Sequence, residues 1–293
     1  MAQQKSTIVR TINSTRRAMR AQQANAVLSR IAPGIAATIA ERLWCTIPRG
    51  KPVPRSETGE PVGLDVNGRT VTAEVWGEGP VVYLLHGWGG RRGQFDAFVA
   101  PLVHKGHRVV ALDAPSHGDS DPGAYGPGRG LLTEFVDALR AAVARFGPAH
   151  GVVGHSLGGL AITVALLDEL PAGRVALIAP APDTMAYTMD FSRALGFTEG
   201  VRRRFLRRLA RRVGRPMTDF DVLARARETE VPTLPPMLIV HDRDDREVRF
   251  QDGQALAAAW PRAEFVLTEG LGHRRILRDP AVVERIVAEM ARI

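Results

Sequence analysis

The chain has 293 residues, 45% of them hydrophobic, which is enough to bury the core of one α/β domain with an insertion or of two domains. No apolar run reaches the roughly 18 residues needed to span a bilayer, and the single cysteine, Cys45, excludes an internal disulfide framework and favours a reducing, cytoplasmic location. The formal net charge of +8 comes mostly from arginine and permits attraction to anionic lipids, nucleic acid or acidic substrates.

Residues 1–47 are predicted to form a helical N-terminal extension, because apolar side chains recur there at helical spacing among Ala, Arg and Gln. Pro33 and Gly34 are expected to divide this segment into two helices. Its apolar stretch, 31–40, follows about thirty largely polar residues instead of a short basic start, so we expect no signal peptide. The extension either packs on the rest of the chain or lies as a basic amphipathic segment on a membrane surface.

After a linker rich in proline and glycine at 48–61, the sequence predicts an α/β sheet. Two strands around the turn at Asn67 and Gly68 indicate a β-hairpin. From Val81 onward, apolar strands alternate with amphipathic helices, which predicts a mostly parallel sheet with helices on both faces and catalytic loops at the carboxyl ends of its strands. The predicted strands are 63–66, 70–76, 81–85, 108–112, 151–153, 174–179, 237–240 and 264–267.

The alternation of strands and helices lapses at 183–230, which predicts a helical cap inserted into a core made of 48–182 and 231–293. Within this cap, the segment 202–212 has an apolar face and is otherwise almost wholly basic. Such a helix is either a solvated surface or a site that attracts an anionic partner, such as a membrane surface or an acidic protein.

The pattern Gly154-x-Ser156-x-Gly158 lies between a predicted strand and a predicted helix. It fits a nucleophile elbow, because a serine on so tight a turn has strained backbone angles and needs small neighbours. Taken alone, the pattern also fits a plain helix N-cap. At the elbow, Ser156 would lie at a helix N-terminus, where backbone N–H groups stabilise negative charge.

A His-Gly-Trp-Gly-Gly turn follows the strand 81–85. Glycines at the end of a strand allow main-chain N–H groups to point into a cleft, and acyl transfer requires two such donors for the oxyanion. The N–H groups of Trp88 and of Leu157, the residue after the serine, are the candidates for this oxyanion hole. The alternative is a glycine loop without a catalytic role.

Two further segments can supply an acid and a histidine. The strand 237–240 leads into a loop with four acidic residues, where a carboxylate is well placed to orient an imidazole, and His273 lies on a glycine-flanked loop after the last predicted strand. Asp113 and His117 resemble possible partners of Ser156, but we expect them to order their own loop.

From about Gly63 to its end, the chain resembles the α/β-hydrolase-fold serine hydrolases of esterase or lipase type. The resemblance lies in His-Gly at 86–87, in the turn 113–120, in the elbow motif and in Gly-His at 272–273. The order serine, acid, histidine is also the order of this fold. The family motif His-Gly-x-x-Asp-x-x-Val, laid on 241–248, selects Asp245 as the acid, whereas Asp242 stands where glycine is usual and leaves Asp244 as a rival.

The resemblance implies a serine hydrolase that cleaves a carboxylic ester or thioester through an acyl-enzyme, with Ser156 as nucleophile, His273 as base and Asp245 as its partner. We expect a small acyl substrate and neither a metal nor an organic cofactor, since no Cys or His cluster has metal-ligand spacing. Nucleic acid is not an expected partner, because the arginine run lacks interleaved aromatic residues. The alternative is a non-catalytic interaction protein that binds an anionic partner or membrane surface through its basic cap.

Overall fold

The computed structural model describes residues 19–48, 58–229 and 234–292. It divides the chain into two compact units. The helical unit consists of Met1–Thr46 and Thr184–Thr218, and the α/β unit consists of Ile47–Asp183 and Asp219–Ile293. Parts of the predicted extension (1–18), linker (49–57), cap (230) and core (231–233 and 293) lie outside the described residues.

An eight-stranded sheet forms the centre of the α/β unit. The antiparallel neighbours β1, β2 and β4 form one edge, and every pair from β4 to β8 is parallel, which confirms the predicted mostly parallel sheet. The order across the sheet is β1-β2-β4-β3-β5-β6-β7-β8. The strands are β1 (Glu60–Val66), β2 (Arg69–Trp76), β3 (Val81–Leu85), β4 (Arg108–Leu112), β5 (Ala149–His155), β6 (Ala172–Ile178), β7 (Met237–Asp242) and β8 (Ala263–Thr268).

The predicted hairpin between β1 and β2 is confirmed. Asn67 and Gly68 both have positive φ angles, 55° and 75°, at the turn that connects the two strands. Asparagine and glycine adopt this left-handed conformation at little cost, and it matches the right-handed twist of the flanking strands.

Helices cover both faces of the sheet. Val82 and Leu84 of β3 belong to the apolar core beneath α3 and α11, whereas Tyr83 between them faces the opposite side and donates its hydroxyl hydrogen to Gly147 O at 2.6 Å, at the end of α4. This alternation follows from the period of two along a strand. The helices of this unit are α3 (Asp96–His104), α4 (Leu132–Phe146), α5 (Leu157–Leu167), α8 (Val222–Glu228), α9 (Phe250–Ala259), α10 (Gly272–Arg275) and α11 (Pro280–Met290).

The helical unit contains four described helices around an aromatic centre. Trp44 lies edge-on to Phe191 with 5.2 Å between ring centroids, and its centroid is 5.9 Å from that of Phe205. The predicted break at Pro33 is confirmed, because the first helix ends at residue 31 and the second begins with the proline. The helices are α1 (19–31), α2 (Pro33–Trp44), α6 (Thr184–Leu195) and α7 (Glu199–Val213).

One buried ion-pair cluster joins α2 to α7. The Glu41 carboxylate is almost fully buried and accepts hydrogen bonds from Arg208 Nε and Arg212 Nε, each at 2.6 Å. Burial opposes ionisation of Glu41, but the hydrogen bonds and positive charges of the two arginines outweigh it and lower the pKa of this carboxyl. The arginine-rich segment is therefore tied to the N-terminal extension by charge as well as by apolar packing.

The observed units differ from the expected division in two respects. The N-terminal helices and the inserted helices α6 and α7, expected as separate segments, form one unit because α2 packs along α7. Helix α8, expected within the cap at 183–230, belongs instead to the α/β unit, where it packs on α5 and α9 and where Arg225 donates to Asp168 Oδ1 at 2.8 Å. None of the described helices combines the length and apolar character needed to cross a membrane.

Candidate active site

Ser156 occupies a strained turn between β5 and α5. Its backbone angles are φ 53° and ψ −118°, a left-handed conformation that L residues rarely adopt, and its N–H donates to Ile178 O at 2.9 Å. A Cβ on Gly158 would approach Leu85 O to 2.2 Å, so this position requires glycine. The sharp strand-to-helix turn predicted from the sequence is therefore present.

His273 is held by Asp245. The histidine Nδ1 donates to Asp245 Oδ2 at 2.7 Å, and the side chain of this aspartate is fully buried. The other oxygen, Oδ1, accepts the N–H groups of Glu247 at 2.8 Å and Val248 at 2.9 Å. Burial opposes ionisation, but hydrogen bonds from His241, His273 and Val248 N–H outweigh it and hold the Asp245 pKa well below its ordinary range.

The rival carboxylate, Asp244, lies elsewhere. It is exposed, and its Oδ2 accepts the N–H of Gly270 at 2.9 Å. The carboxylate at the histidine ring is therefore that of Asp245, the residue that the family motif selects.

Asp242, which stands where the family usually has glycine, joins the loop that contains Asp245 to the loop that precedes His273. Its fully buried carboxylate accepts four hydrogen bonds: from the N–H groups of Asp244 (3.0 Å), Leu271 (3.1 Å) and Gly272 (2.8 Å), and from Thr268 Oγ1 (2.8 Å). Burial raises its pKa, but these donors prevail and lower it. The loop after β7 and the loop after β8 thus share one anionic anchor.

His155 connects the serine turn to α10, the short helix that contains His273, which was expected on a loop. Its Nε2 donates to His273 O at 2.9 Å, and the two imidazole rings are 4.6 Å apart between centroids. Burial and the neighbouring His273 lower the His155 pKa to about 3, so this ring stays neutral at ordinary pH. The residue next to Ser156 therefore holds the main chain of His273.

The two predicted oxyanion donors belong to main chain next to the serine: Leu157 follows Ser156 directly, and Trp88 follows Gly87, which lies against Ser156. Gly90 N–H donates to Gly87 O at 2.9 Å and closes the turn that contains Trp88, while a Cβ on Gly87 would come within 2.8 Å of the Ser156 Cβ. Leu157 is the first residue of α5, and an N–H at that position has no acceptor within its own helix. Both amides thus belong to the backbone that surrounds the serine.

Asp113 orders its own loop, as predicted. It accepts hydrogen bonds from the N–H groups of Arg92 (2.7 Å) and Asp119 (2.9 Å), and the Arg92 guanidinium pairs with it directly. The same guanidinium contacts Glu74 Oε2 and Asp119 Oδ2, each at 2.8 Å. His117 is also held within this loop, where its Nδ1 donates to Pro115 O at 2.9 Å.

Sequence reasoning missed the supporting residues Arg92, His155, His241 and Asp242. Their roles depend on partners far along the chain: His155 and His273 are 118 positions apart. The one available signal was the aspartate in place of the family glycine at 242. Among the described residues, no group of three His, Cys, Asp or Glu side chains is arranged to hold a metal ion.

Comparisons with known proteins find similar sequences among esterases and related enzymes. Pimeloyl-[acyl-carrier protein] methyl ester esterase from Nitrosomonas europaea is 25% identical over 249 residues, which are 72% of this chain and 95% of that protein. A non-heme haloperoxidase from Rhodococcus erythropolis is 33% identical over 145 residues, 46% of this chain and 52% of that protein.

Solved structures share the fold. A CIB-like hydrolase from Thermoplasma acidophilum aligns with a TM-score of 0.60 at 18% identity, over 80% of this chain and 98% of that one. A thioesterase domain from the curacin biosynthetic pathway aligns with a TM-score of 0.56 at 16% identity, over 80% of this chain and 100% of that one. Residues 82–286 match the model of the alpha/beta hydrolase family, and the chain therefore belongs to that family.

Proposed function

We propose that the chain is a serine hydrolase that cleaves a carboxylic ester or a thioester through an acyl-enzyme intermediate, with Ser156, His273 and Asp245 as its catalytic triad. The observation that carries this proposal is the 2.7 Å hydrogen bond from His273 Nδ1 to the buried Asp245 carboxylate. Because the proton is held on Nδ1, Nε2 is left to accept a proton, as a general base requires.

In the first half of the reaction, Ser156 Oγ attacks the carbonyl carbon while His273 Nε2 takes the hydroxyl proton. The carbonyl oxygen becomes negative, and the N–H groups of Trp88 and Leu157 stabilise it, an effect worth about 3 kcal/mol per donor. The carbon–oxygen or carbon–sulfur bond then breaks, and the leaving alcohol or thiol receives the proton from His273. Asp245 stabilises the imidazolium that forms in between.

In the second half, water replaces the alcohol. His273 takes a proton from the water as it attacks the acyl carbon, and returns that proton to Ser156 Oγ when the acyl–serine bond breaks. The products are a carboxylic acid and the regenerated enzyme, so no metal or organic cofactor enters the balance.

The names of similar proteins support the substrate class. One similar protein is a methyl ester esterase and another is a thioesterase domain. Both names denote cleavage of an acyl group from an alcohol or a thiol, which is chemistry that a Ser-His-Asp triad serves. A small acyl ester or thioester is therefore the proposed substrate.

Labelling with a fluorophosphonate tests the nucleophile. We expect the wild type to be labelled and Ser156→Ala to lose both the label and roughly a millionfold in kcat. Ser116→Ala is the matched control, because Ser116 also has a positive φ angle, 64°, and should leave labelling intact. A chain that only binds partners would take no label in any form, and this result would refute the enzymatic proposal.

A substrate panel then tests the reaction class. Aryl esters of increasing acyl length and the matching acyl-pantetheine thioesters are compared at equal concentration. We expect hydrolysis of at least one series that Ser156→Ala abolishes. Labelling without turnover of either series would keep the nucleophile and reject the proposed substrate class.

A further inference from the structure

Charge is divided unequally between the two units. The helical unit contains sixteen Lys or Arg and three Asp or Glu residues, a net charge of +13, which leaves 23 basic and 28 acidic residues, a net charge of −5, for the α/β unit. The overall value of +8 is thus the sum of one strongly cationic unit and one mildly anionic unit. A field of this kind attracts anions to the helical unit alone.

The arginines of α7 fall into two groups, those in ion pairs and those that are exposed and in no ion pair among the described residues. Arg208 and Arg212 pair with Glu41, and Arg202 pairs with Glu199. The remaining four are exposed, and none of the ion pairs among the described residues involves them. At 3.6 residues per turn they fall within about 100° of the helix circumference. This arginine row consists of Arg203, Arg204, Arg207 and Arg211.

The helical unit also exposes aliphatic side chains. Val27, Ile31, Ile35 and Leu43 are 57%, 75%, 59% and 45% exposed, and all the large apolar side chains exposed in the described part of the chain belong to this unit. On α2, Ile35 and Leu43 lie eight residues apart on one face, with Ile39 between them. Clustered exposure of this kind marks an interaction surface. We call these four residues the aliphatic face.

The two features belong to helices that pack on each other, α2 and α7. Glu41 of α2 lies at this contact, and its partners Arg208 and Arg212 on α7 have side chains that are 35% and 32% exposed. Arg42, which is exposed, follows Glu41 on α2 and adds a cation beside the aliphatic face.

We propose that the helical unit docks on an anionic lipid surface, with the aliphatic face entering the acyl boundary and the arginine row contacting the headgroup phosphates. Only this boundary satisfies both features, because it offers apolar depth and negative charge together. A polyanion such as an acidic protein would pair with the arginines and leave the isoleucines in water. A second copy of the chain would bring one unit of charge +13 against another.

The proposal is tested with the full-length chain and vesicles of phosphatidylcholine, with or without phosphatidylglycerol, by co-flotation at low and physiological ionic strength. We expect binding to the vesicles that contain phosphatidylglycerol, weaker binding at the higher ionic strength, and little binding to phosphatidylcholine alone.

Two variants separate the two features. The triple variant R203Q/R207Q/R211Q should weaken partitioning by about a hundredfold, at about 1 kcal/mol for each cation near the surface. The double variant I31S/I35S should weaken it by about tenfold through lost apolar burial. The matched control K105Q/R145Q/R278Q removes three exposed cations of the α/β unit and should bind as the wild type does. Thermal unfolding checks that each variant is folded.

Five results would overturn the proposal. The first two are no binding of the wild type to anionic vesicles, and equal binding to neutral ones. A control triple that weakens binding as much as the arginine-row triple would make net charge the sole cause. Intact vesicle binding by I31S/I35S would indicate an acidic macromolecule as the partner. Concentration-dependent self-association abolished by I31S/I35S, without vesicle binding, would indicate a dimer interface instead.

Discussion

The two units of this chain use their polar groups in opposite ways. In the α/β unit, polar side chains such as Asp242 and Asp245 are buried at the carboxyl ends of strands and receive several hydrogen bonds each. In the helical unit, a single carboxylate, Glu41, is buried among the described residues, while four arginines of one helix face outward. Inward polarity fixes geometry, whereas outward charge creates a long-range field.

The histidines are also distributed unequally between the two units. All eight histidines belong to the α/β unit, and the helical unit contains none. Protonation of histidine between pH 4 and 7 therefore concerns the α/β unit, whereas screening of charge by salt concerns mainly the helical unit. Effects on catalysis and on pH sensitivity can thus be assigned to the α/β unit, and effects on helix packing to the helical unit.

After loss of the nucleophile, the largest expected effect concerns the acid of the proposed triad. Asp245→Asn should lower kcat by about 10⁴-fold, because an amide neither stabilises the imidazolium nor enforces the correct tautomer. Asp244→Asn, which removes an exposed carboxylate on the same loop, should keep kcat within about tenfold. Steady-state hydrolysis of an aryl ester by both variants decides the point. Equal losses of kcat in the two variants, or a larger loss in Asp244→Asn, would show that Asp245 is not the acid of the triad.

A smaller effect is expected on stability at low pH. Burial lowers the pKa of His86 to about 4 and, with neighbouring histidines, those of His117 and His155 to about 3. In the unfolded chain the pKa of each histidine is about 6.5. Below about pH 6.5 the unfolded state therefore binds more protons than the folded state, which lowers the free energy of unfolding. Each residue then removes up to about 1.4 kcal/mol of the unfolding free energy per pH unit, or about 4 kcal/mol for the three together.

Urea unfolding between pH 7 and pH 5 measures this loss. His117→Gln should reduce the slope of unfolding free energy against pH by about a third, since one of three such groups is removed. His104→Gln, which replaces an exposed histidine of the same unit, should leave the slope unchanged. A wild type equally stable at both pH values would show that these histidines titrate normally in the folded chain.

The smallest effect concerns the helical unit. Glu41→Gln removes the buried carboxylate between Arg208 and Arg212 and should lower the unfolding free energy by about 2 kcal/mol, less than for a fully buried pair because both arginines reach solvent. Glu199→Gln breaks the exposed pair with Arg202 and should cost less than about 1 kcal/mol. Thermal unfolding compares the two variants, and equal losses would mean that burial of Glu41 adds nothing.

The fold of the α/β unit could be predicted well from local patterns. The strands β3 and β4 have the predicted bounds, and the hairpin at 67–68 and the turn at Ser156 are where the sequence places them. These features depend on neighbours a few residues apart, such as apolar runs, turn residues and required glycines. The sequence alone also carried enough of the family motif to favour Asp245 over Asp244.

The grouping of the helices could not be predicted in the same way. Glu41 meets Arg208 and Arg212 across 167 and 171 positions, and no periodicity in either segment records that meeting. Both segments are amphipathic, so each could have packed on the sheet by itself. The hydrogen bonds from the N–H groups of Leu271 and Gly272 to Asp242 could not be predicted for the same reason, because these residues are 29 and 30 positions from Asp242.

Asp242 has a consequence for chimeras between this chain and its relatives. Its carboxylate accepts hydrogen bonds from both the segment after β7 and the segment after β8, so the structures of the two segments depend on each other. A chimera that takes only the segment after β7 from a glycine-bearing homologue would leave the N–H groups of Leu271 and Gly272 without this acceptor. One that takes only the segment after β8 would set the Asp242 carboxylate against a loop formed to pack beside glycine. Successful exchanges should therefore move both segments together.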